Sequence, residues 1–271
     1  MEKTTVRINK ALADAGVCSR RRADELVAAG VVRVNGEVVA SAGMQVRPGI
    51  DTIEVQGKAL AAPCAEPCYL LLHKPIQVVS TAYDPEGRTT VLDLVPEAWQ
   101  NRRLYPAGRL DFFSEGLVLL TDDGELTHRL VHPSHHLPRV YQVLVRGTVS
   151  EQTLDIMRKG MTLEEGETLA PVEVRILPGS LHDLSGQQEQ TPAHVSGALP
   201  PAGQSGTLLE LTLHQGLNRQ IRRMCRDLSL TILRLIRIAQ GPLQLGVLAS
   251  GEVRSLSPVE ITALRKAVGL K

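Results

Sequence analysis

The sequence predicts an α+β protein, in which a small N-terminal module precedes a larger domain built on a large, antiparallel-rich mixed sheet with flanking helices. Two observations favour this class. The first 60 residues contain two short helical patterns and then a hairpin signal. From Cys68 onward, strand-like apolar runs dominate, and helical patterns interrupt them. A chain of 271 residues is long enough for one small and one larger domain.

Periodicity and turn residues define the N-terminal module, which we assign to residues 1–60. Ile8 and Leu12 have helical spacing, and Gly16 ends that helix. Ser19 is the predicted N-cap of a second helix. Because a module of this size is too small for an enzyme cleft of its own, we interpret it as a binding unit.

The second helix begins with consecutive arginines and leads into a β-hairpin. Arg20, Arg21 and Arg22 occupy its first turn, and the segment VVRVNGEVV places Asn35-Gly36 between two strands. Clustered positive charge of this kind suits a phosphate backbone. The alternative is a solvated basic face, which is the more common role of a charge run.

The larger domain, residues 68–271, follows a linker. Residues 61–67 are small and proline-containing, which is typical of linkers. The predicted strands of the domain are YLLLHK, QVVSTAY, GLVLLT, VYQVLVRG, PVEVRIL, TLLELTLH and ILRLIRIAQ. Its predicted helices are ELTHRLVH, SEQTLDIMRKG, NRQIRRMCRDL and SPVEITALRKAVGL. Residues 178–206 are rich in glycine, proline, serine and glutamine, which predicts a mobile loop between two strands.

Composition restricts the function classes. The start MEKTTVRINK lacks the apolar centre of a secretory signal, and no run approaches the roughly 18 apolar residues of a membrane span. We therefore expect a cytoplasmic protein without a membrane partner. The cysteines match neither a disulfide framework nor a paired metal motif; they are Cys18, Cys64, Cys68 and Cys225. No carboxylate or cysteine completes a metal-ligand spacing with His132, His135 and His136, so no metal site is expected.

The net charge of +1 does not indicate nucleic-acid binding, but the distribution of charge does. The stretch from Leu217 to Arg237 has one acid, Asp227, and six arginines, which are Arg219, Arg222, Arg223, Arg226, Arg234 and Arg237. Such a cluster places positive potential where a phosphate backbone can use it. As with the first cluster, a solvated basic face is the alternative.

Asp111 is the carboxylate placed most favourably for chemistry. It follows Gly108-Arg109-Leu110 and precedes a turn and the apolar strand GLVLLT. A side chain in such a connection can face a cleft while the sheet holds it in position. From spacing alone, an aspartate that caps a turn is the better-supported interpretation, because aspartate is common in loops.

The N-terminal segment VRINKALADAGVCSRRRADELVAAGVVRVNGEVV resembles the S4 RNA-binding domain. In that domain the second helix and the hairpin loop grip structured RNA. The resemblance covers most of the first 50 residues and implies RNA binding. It implies no particular reaction, because S4 modules are attached to many RNA proteins.

The larger domain resembles the ribosomal RNA pseudouridine synthases of the RsuA/RluB family. The motifs that carry the resemblance occur in family order from Tyr69 to Leu256, and an S4 domain in front is the usual architecture. They are LLHKPIQVVSTAYDPEGRTTVLDLVP, GRLD with GLVLLTDDGELTHRLVHP, PRVYQVLVRG, LHQGLNRQIRRMC and GPLQLGVLASGEVRSL. The resemblance implies an enzyme that isomerises a specific uridine in ribosomal RNA to pseudouridine.

The resemblance also implies three site residues. Asp111 matches the catalytic aspartate, Arg222 the arginine that pairs with it, and Tyr141 the aromatic residue that packs against the target base. The chemistry is coherent, since an arginine offsets the desolvation of a carboxylate and an aromatic ring stacks on a base. Without the resemblance, Tyr141 is equally a core residue of a strand, and several neighbouring arginines could pair with the aspartate.

We expect RNA contacts from seven further residues, Arg20, Arg21, Arg22, Arg109, Arg139, Arg219 and Arg223. The chain departs from the family pattern at a few positions. Gln77 stands where the family generally has glycine, Phe113 where it has aspartate or asparagine, and Arg139 where lysine is frequent. We favour an anchoring role for Phe112 and Phe113 in the catalytic loop, with stacking on a neighbouring base as the alternative.

The expected partner is ribosomal RNA or a ribosome-assembly intermediate, bound by a monomer. Isomerisation requires no metal or redox cofactor, and we expect none. The segments DGELTHRLVHP and GLNRQIRRM favour large-subunit (23S) over small-subunit (16S) RNA. The alternatives are a small-subunit target, a non-catalytic RNA-binding assembly factor and a nucleoside glycosidase.

Overall fold

The computed structural model describes residues 5–60, 66–132, 137–178 and 206–270. The chain divides into two compact units. One contains the described residues up to Pro67 with Asp122–Gly124, and the other contains Cys68–Thr121 and the described residues from Glu125 onward. Most of the predicted linker 61–67 and of the predicted mobile loop 178–206 lies outside the described residues.

The N-terminal unit forms two helices and short strands. In chain order these are β1 (Val6–Arg7), α1 (Ile8–Asp14), α2 (Arg20–Ala28), β2 (Val32–Val34), β3 (Glu37–Val38), β4 (Gln45–Val46), β5 (Ile53–Val55) and β6 (Lys58–Ala59). Strands β3, β2, β5 and β6 form one antiparallel sheet in that order, and β1 pairs with β4. Three short strands, β4, β5 and β6, follow the predicted hairpin.

Local signals in the sequence account for this unit. The Ser19 hydroxyl accepts a hydrogen bond from the Arg22 amide (3.0 Å), which caps α2 as predicted. Asn35 and Gly36 both have positive φ, 51° and 86°, as a two-residue type I′ turn requires. One core joins the helices to the sheet, through residues that include Ile8 and Leu26.

The second unit is a mixed sheet with helices on both faces, so the predicted α+β class is confirmed. Its elements are β7 (Tyr69–Lys74), α3 (Glu97–Gln100), β8 (Tyr105–Pro106), β9 (Glu115–Thr121), α4 (Gly124–Val131), β10 (Arg139–Arg146), α5 (Glu151–Lys159), β11 (Glu173–Ile176), β12 (Gly206–Leu213), α6 (Gln220–Asp227), β13 (Ile232–Gln240), β14 (Leu243–Gln244), β15 (Val253–Ser255) and α7 (Pro258–Ala267).

The sheet consists of two antiparallel halves joined by a parallel pair. Its strand order is β11-β12-β10-β13-β9-β7-β15, with β14 beside β13 and β8 beside β9. Strand β13 is parallel to β9, whereas the other described pairs of the sheet are antiparallel. The connection between the halves thus depends on a short register in which Ile236 lies opposite Glu115 and Arg237 opposite Gly116.

Three apolar cores cover the two faces of this sheet. On one face, α5 and α6 pack against β10–β13, and the segment 78–110 packs against β7 and β9. On the other face, α4 and α7 pack against β7, β9 and Ile236 of β13. Tyr141 of β10 packs against both cores of the first face, so it marks the seam between them.

The prediction of a strand at QVVSTAY is wrong. Val79 makes only an isolated bridge to Thr90. Gln77 has a left-handed φ of 62°, a conformation that favours glycine, and this agrees with the glycine that the resembling family has at the position. The Ser80 hydroxyl bonds both the amide and the carbonyl of Leu110 (3.1 and 3.0 Å), so this segment braces a loop instead of extending the sheet.

None of the described helices is long and apolar enough to cross a membrane.

We expect Gly116→Ala to destabilise the protein severely. A Cβ at this position would lie 2.3 Å from the carbonyl oxygen and 2.6 Å from the amide nitrogen of Arg237, and φ is +110°. Backbone atoms cannot move aside as the end of a flexible side chain can. We therefore predict a loss of roughly 3 kcal/mol in the free energy of unfolding, measured by urea denaturation.

Gly166→Ala is the matched control. Gly166 also has a positive φ, 88°, but a Cβ there would meet nothing within 4 Å. We expect it to lose only about 1–2 kcal/mol, from backbone strain alone. Equal losses in the two variants would contradict the claim that close packing against Arg237 is what requires Gly116.

Candidate active site

A cleft of about 590 Å³ opens on the face of the second unit where Tyr141 marks the seam. Strands β10, β12 and β13 form its floor, and the loop 108–114 and the segment 215–222 form its walls. Its volume falls within the range of pockets that enclose small ligands. Asp111, Tyr141 and Arg222, which the sequence resemblance singled out, all line it.

The alternation of β-strand side chains explains which residues face the cleft. Arg139 and Tyr141 are two positions apart on β10, so both project to the same face. Leu213 lies opposite Arg139 on β12, and Arg237 lies opposite Tyr141 on β13. All four line the cleft. Tyr141 therefore packs in the core and also borders the cleft, and its role in packing against the target base stays a prediction.

Asp111 lies in the loop that leads into β9. Hydrogen bonds to the segment 77–80 hold this loop, because Ser80 binds Leu110 and the Gln77 amide donates to the Phe112 carbonyl (2.7 Å). Within the loop, the Ser114 amide donates to the Asp111 carbonyl (3.0 Å). The side chain of Asp111 remains 36% exposed and is accessible from the cleft.

Arg222, on the first turn of α6, reaches across to this loop. Its Nε lies 3.5 Å from Oδ2 of Asp111, while its Nη2 donates to the Phe113 carbonyl (2.7 Å) and to the Ser114 hydroxyl (3.0 Å). The ion pair is therefore a single contact and not the bidentate pair that an arginine can form. Desolvation lowers the pKa of Arg222 and the Asp111 charge partly opposes this; an arginine nevertheless remains charged at neutral pH.

A buried lysine, which the sequence reasoning missed, also holds the loop that carries Asp111. Lys74 ends β7 and is fully buried, and its Nζ donates to the carbonyls of Pro75 (2.7 Å) and Ser114 (2.8 Å). Desolvation lowers its pKa to about 8, although Glu115 and Asp111 favour the charged form. A lysine that ends a wholly apolar strand, as in YLLLHK, was the signal available in the sequence.

The six arginines of the 217–237 stretch have different partners. Arg237 lines the cleft, but its Nε and Nη2 both donate to the Leu117 carbonyl (2.8 and 2.7 Å). On the opposite face of the sheet, Arg234 pairs with the buried Glu115 (2.6 Å). These two arginines connect β13 to β9, so their contacts stabilise the sheet.

Of the other arginines expected to bind RNA in this unit, Arg109, Arg139 and Arg219 line the cleft. Arg219 is the N-cap of α6 and has a left-handed φ of 48°. Arg223 does not line the cleft; its Nη2 pairs with Glu167 at 2.6 Å. The structure therefore groups Arg219 and Arg222 at the cleft and separates Arg223 from them.

Arg20, Arg21 and Arg22 belong to the N-terminal unit. All three are exposed in the first turn of α2, and Arg22 pairs with Glu25 at 2.5 Å. Within that unit they form a basic surface beside the capped helix start.

Phe112 and Phe113 differ in their environments. Phe112 lines the cleft, whereas the side chain of Phe113 is 61% exposed, and the rings meet edge to face at 5.0 Å. The expectation that both rings anchor the loop is therefore wrong for Phe113, because a side chain so exposed contributes little burial. Its backbone is fixed instead, by Arg222 at the carbonyl.

Across the described ranges, no group of three or more histidine, cysteine, aspartate or glutamate side chains is arranged to hold a metal ion. His128 and His132 lie near each other, with ring centroids 5.3 Å apart. His135 and His136 lie outside the described residues.

Comparison with known proteins identifies the family. The sequence model described as RNA pseudouridylate synthase matches residues 68–227, more than half of the chain. The chain belongs to the RNA pseudouridylate synthase family. This confirms the enzyme class expected from the motifs. The model of the S4 domain matches residues 6–49, which confirms the expected N-terminal RNA-binding domain.

Relatives align over nearly the whole synthase chain. A ribosomal large subunit pseudouridine synthase B of Bacillus subtilis is 39% identical, with 96% of this chain and 95% of the relative covered. An RNA pseudouridine synthase of Aquifex aeolicus is 40% identical, with 98% and 96% covered. A crystal structure of a pseudouridylate synthase superposes with a TM-score of 0.62 at 27% identity, covering 96% of this chain and 99% of that one.

We expect Lys74→Met to loosen the Asp111 loop of this synthase. The substitution leaves the buried carbonyls of Pro75 and Ser114 without their common donor. We predict a loss of about 1–3 kcal/mol in the free energy of unfolding, measured by urea denaturation at pH 7. Lys159→Met, at an exposed position of α5, is the control and should change stability by less than about 0.5 kcal/mol.

The pH dependence provides a second readout for Lys74. Its pKa is lowered from 10.5 to about 8 in the folded protein, so the unfolded chain binds more protons between these values. The free energy of unfolding of the wild type, relative to Lys74→Met, should therefore rise as pH increases from about 8 to 10.5 and stay constant below pH 7. A flat difference across that window would show that Lys74 keeps an ordinary pKa.

Proposed function

We propose that this synthase converts a specific uridine of large-subunit ribosomal RNA to pseudouridine in the cytoplasm. The S4 domain and the synthase domain together support RNA as the substrate. Relatives from Bacillus subtilis and Pseudomonas aeruginosa bear the name ribosomal large subunit pseudouridine synthase B, which supports the large subunit over the small subunit as the source of that RNA. A monomer stays a prediction, which light scattering of the purified protein can check.

The observation that carries the proposal is one accessible carboxylate that contacts an arginine and shares a cleft with an aromatic ring. Asp111 faces the cleft, Arg222 contacts it, and Tyr141 borders the same cleft. In our proposal, Asp111 is the catalytic carboxylate, Arg222 maintains its charge and position, and Tyr141 stacks on the uracil ring. A ring face contributes about 1–3 kcal/mol of stacking per base.

The reaction suits this arrangement. The C–N glycosidic bond of uridine breaks, the uracil rotates, and a C–C bond to C5 replaces it, so a hydrogen is lost from C5 and one is gained at N1. A single carboxylate within reach of the ribose and the base can act as a nucleophile or as a base in this sequence. Because the target atoms are shielded in folded RNA, the nucleotide enters the cleft flipped out of its helix or from an unpaired region.

The arginines define where the RNA backbone would lie. Arg109 and Arg219 line the cleft and are proposed to contact phosphates near the flipped uridine, and Arg139, which lines the same cleft, is proposed to contact the uridine itself. In the S4 domain, Arg20, Arg21 and Arg22 are proposed to bind a second segment of the RNA. Arg223 is left out of this interface because Glu167 holds it.

The central test is Asp111→Asn, a substitution that keeps the size of the side chain and removes its charge. We predict that it lowers the rate of pseudouridine formation by on the order of 10³-fold or more, because the carboxylate takes part in the bond rearrangement. The measurement is primer extension after chemical adduct formation, on rRNA transcripts and assembly intermediates treated with each protein. Sequencing rRNA from a deletion strain then shows which pseudouridine is missing.

The other functions lead to different results in the same assay. A non-catalytic assembly factor would leave every transcript unmodified with wild type as well as with Asp111→Asn. A nucleoside glycosidase would release free uracil, which chromatography detects. Either outcome would sink the proposal, and a missing pseudouridine in small-subunit RNA would overturn the choice of subunit.

Arg222→Lys tests the contacts to the loop. One ammonium group cannot contact Asp111, Phe113 and Ser114 as the guanidinium does. We expect kcat to fall by about 10²-fold, measured in single-turnover reactions with saturating enzyme.

Arg223→Lys is the control for this variant. It lies next to Arg222 on α6, but it pairs with one carboxylate, Glu167, that a lysine can still reach. It should change kcat by less than about twofold, since Arg223 does not line the cleft and the lysine keeps the ion pair with Glu167. If both variants lose activity equally, the helix tolerates no change of arginine and the special role of Arg222 is refuted.

A further inference from the structure

One corner of the cleft holds a side-chain amide whose oxygen is not satisfied by any described residue. Gln240 is the last residue of β13, lines the cleft and is only 2% exposed. Its Oε1 is buried and has no hydrogen-bond partner within the described parts of the chain. Buried amides in native proteins are rarely left in this state, because the desolvation of the group is then uncompensated. In a cleft, such a group indicates a ligand.

A β-bulge directs Gln240 into the cleft. Opposite β10, Tyr141 pairs with Arg237 and Val140 with Ala239, so Ile238 is an extra residue on β13. The extra residue reverses the alternation of side chains beyond it. As a result, Arg237 and Gln240, three positions apart, both face the cleft, and Ala239 is buried on the other face. Without the bulge, Gln240 would point away from Asp111.

Arg139 lies directly across from Gln240 in the register of β10 and β13. A Cβ on Gly216 would lie 2.7 Å from Nη1 of Arg139, so the glycine leaves room for the guanidinium. Desolvation lowers the pKa of Arg139, and no carboxylate of the described residues pairs with it. The corner therefore presents two kinds of donor, a guanidinium and an amide nitrogen, beside one amide oxygen that accepts.

We propose that this corner reads the Watson–Crick edge of the uracil that enters the cleft, with Gln240 as the specificity-determining residue. The inference rests on the proposed function. The edge of uracil presents the O4 acceptor, the N3–H donor and the O2 acceptor. The Oε1 of Gln240 accepts from N3–H, its Nε2 donates to O2, and Arg139 donates to O4.

The alternation of donors and acceptors favours a base edge over a phosphate. A phosphate offers only acceptors and would leave Oε1 of Gln240 unsatisfied. Cytosine is also a poor match: the glutamine amide can rotate to suit its N3 acceptor, but its N4 amino group, a donor, would then face the Arg139 guanidinium, which only donates. A site built to hydrogen-bond a polar group rejects analogues that leave its own groups unpaired. The corner is therefore expected to discriminate uridine from cytidine.

The test measures this discrimination by binding. The probes are an RNA hairpin that contains the uridine modified by the wild type and the same hairpin with cytidine at that position. The protein carries Asp111→Asn, which prevents turnover, and Kd is measured by fluorescence anisotropy. We expect about tenfold tighter binding of the uridine RNA.

Adding Gln240→Leu should reduce the preference to less than about twofold, because leucine fills the site and forms no hydrogen bond. Adding Gln240→Glu, which removes the amide donor and keeps the size of the side chain, should also reduce it and serves if the leucine variant does not fold. Gln142→Leu is the matched control. Gln142 lies next to Tyr141 on β10 but does not line the cleft, so its variant should keep the tenfold preference.

An undiminished preference in folded Gln240 variants, or no preference in the parent, would overturn the inference. Either result leaves the proposed function intact, because the proposed function is tested separately by measuring pseudouridine formation with the wild type. If the wild type modifies no rRNA, the proposed function fails. In that case the same variants are tested for the Kd of octauridylate and of octacytidylate. The inference holds if the parent protein binds octauridylate more tightly and Gln240→Leu removes this preference.

Discussion

The parallel pairing of β9 with β13 is the contact on which the cleft depends. The loop that carries Asp111 leads into β9, and the helix that carries Arg222 precedes β13. Because parallel strands run in the same direction, both strands begin at the same end of the sheet, and the segments that precede them meet there. The pairing is possible because Gly116 has no Cβ to meet the backbone of Arg237, and Arg237 and Arg234 then bind β9 on its two faces.

Around this junction, rigid supports surround a side chain that stays accessible. Ser114 joins the supports, since its carbonyl binds Lys74, its hydroxyl binds Arg222 and its amide binds Asp111. Within the described residues, the Asp111 carboxylate pairs with Arg222 at 3.5 Å, and 36% of its side chain stays exposed. A site of this kind fixes the backbone of the loop and leaves the Asp111 carboxylate, which we propose to be catalytic, accessible to a substrate.

The seam between two apolar cores explains why the cleft lies where it does. Helices α5 and α6 cover one half of the sheet face and the segment 78–110 covers the other. Neither covers the end of β10 and β13 at Arg139, Tyr141 and Gln240, so these residues border a cavity. The bulge at Ile238 changes which side chains fill that strip, and it replaces an apolar face with a polar corner.

The sequence by itself determined the α+β class, the S4 module, the family and most of the regular elements, because periodicity, caps and turn residues act over a few residues. It also singled out Asp111, Tyr141 and Arg222, through motifs whose order survives in the chain. Only the tertiary structure revealed the contacts of Lys74 and Ser114, the unsatisfied amide oxygen of Gln240, the separation of Arg223 from Arg222, and the exposure of Phe113. These depend on contacts between segments far apart in the chain and on the bulge in β13, and neither leaves a local pattern in the sequence.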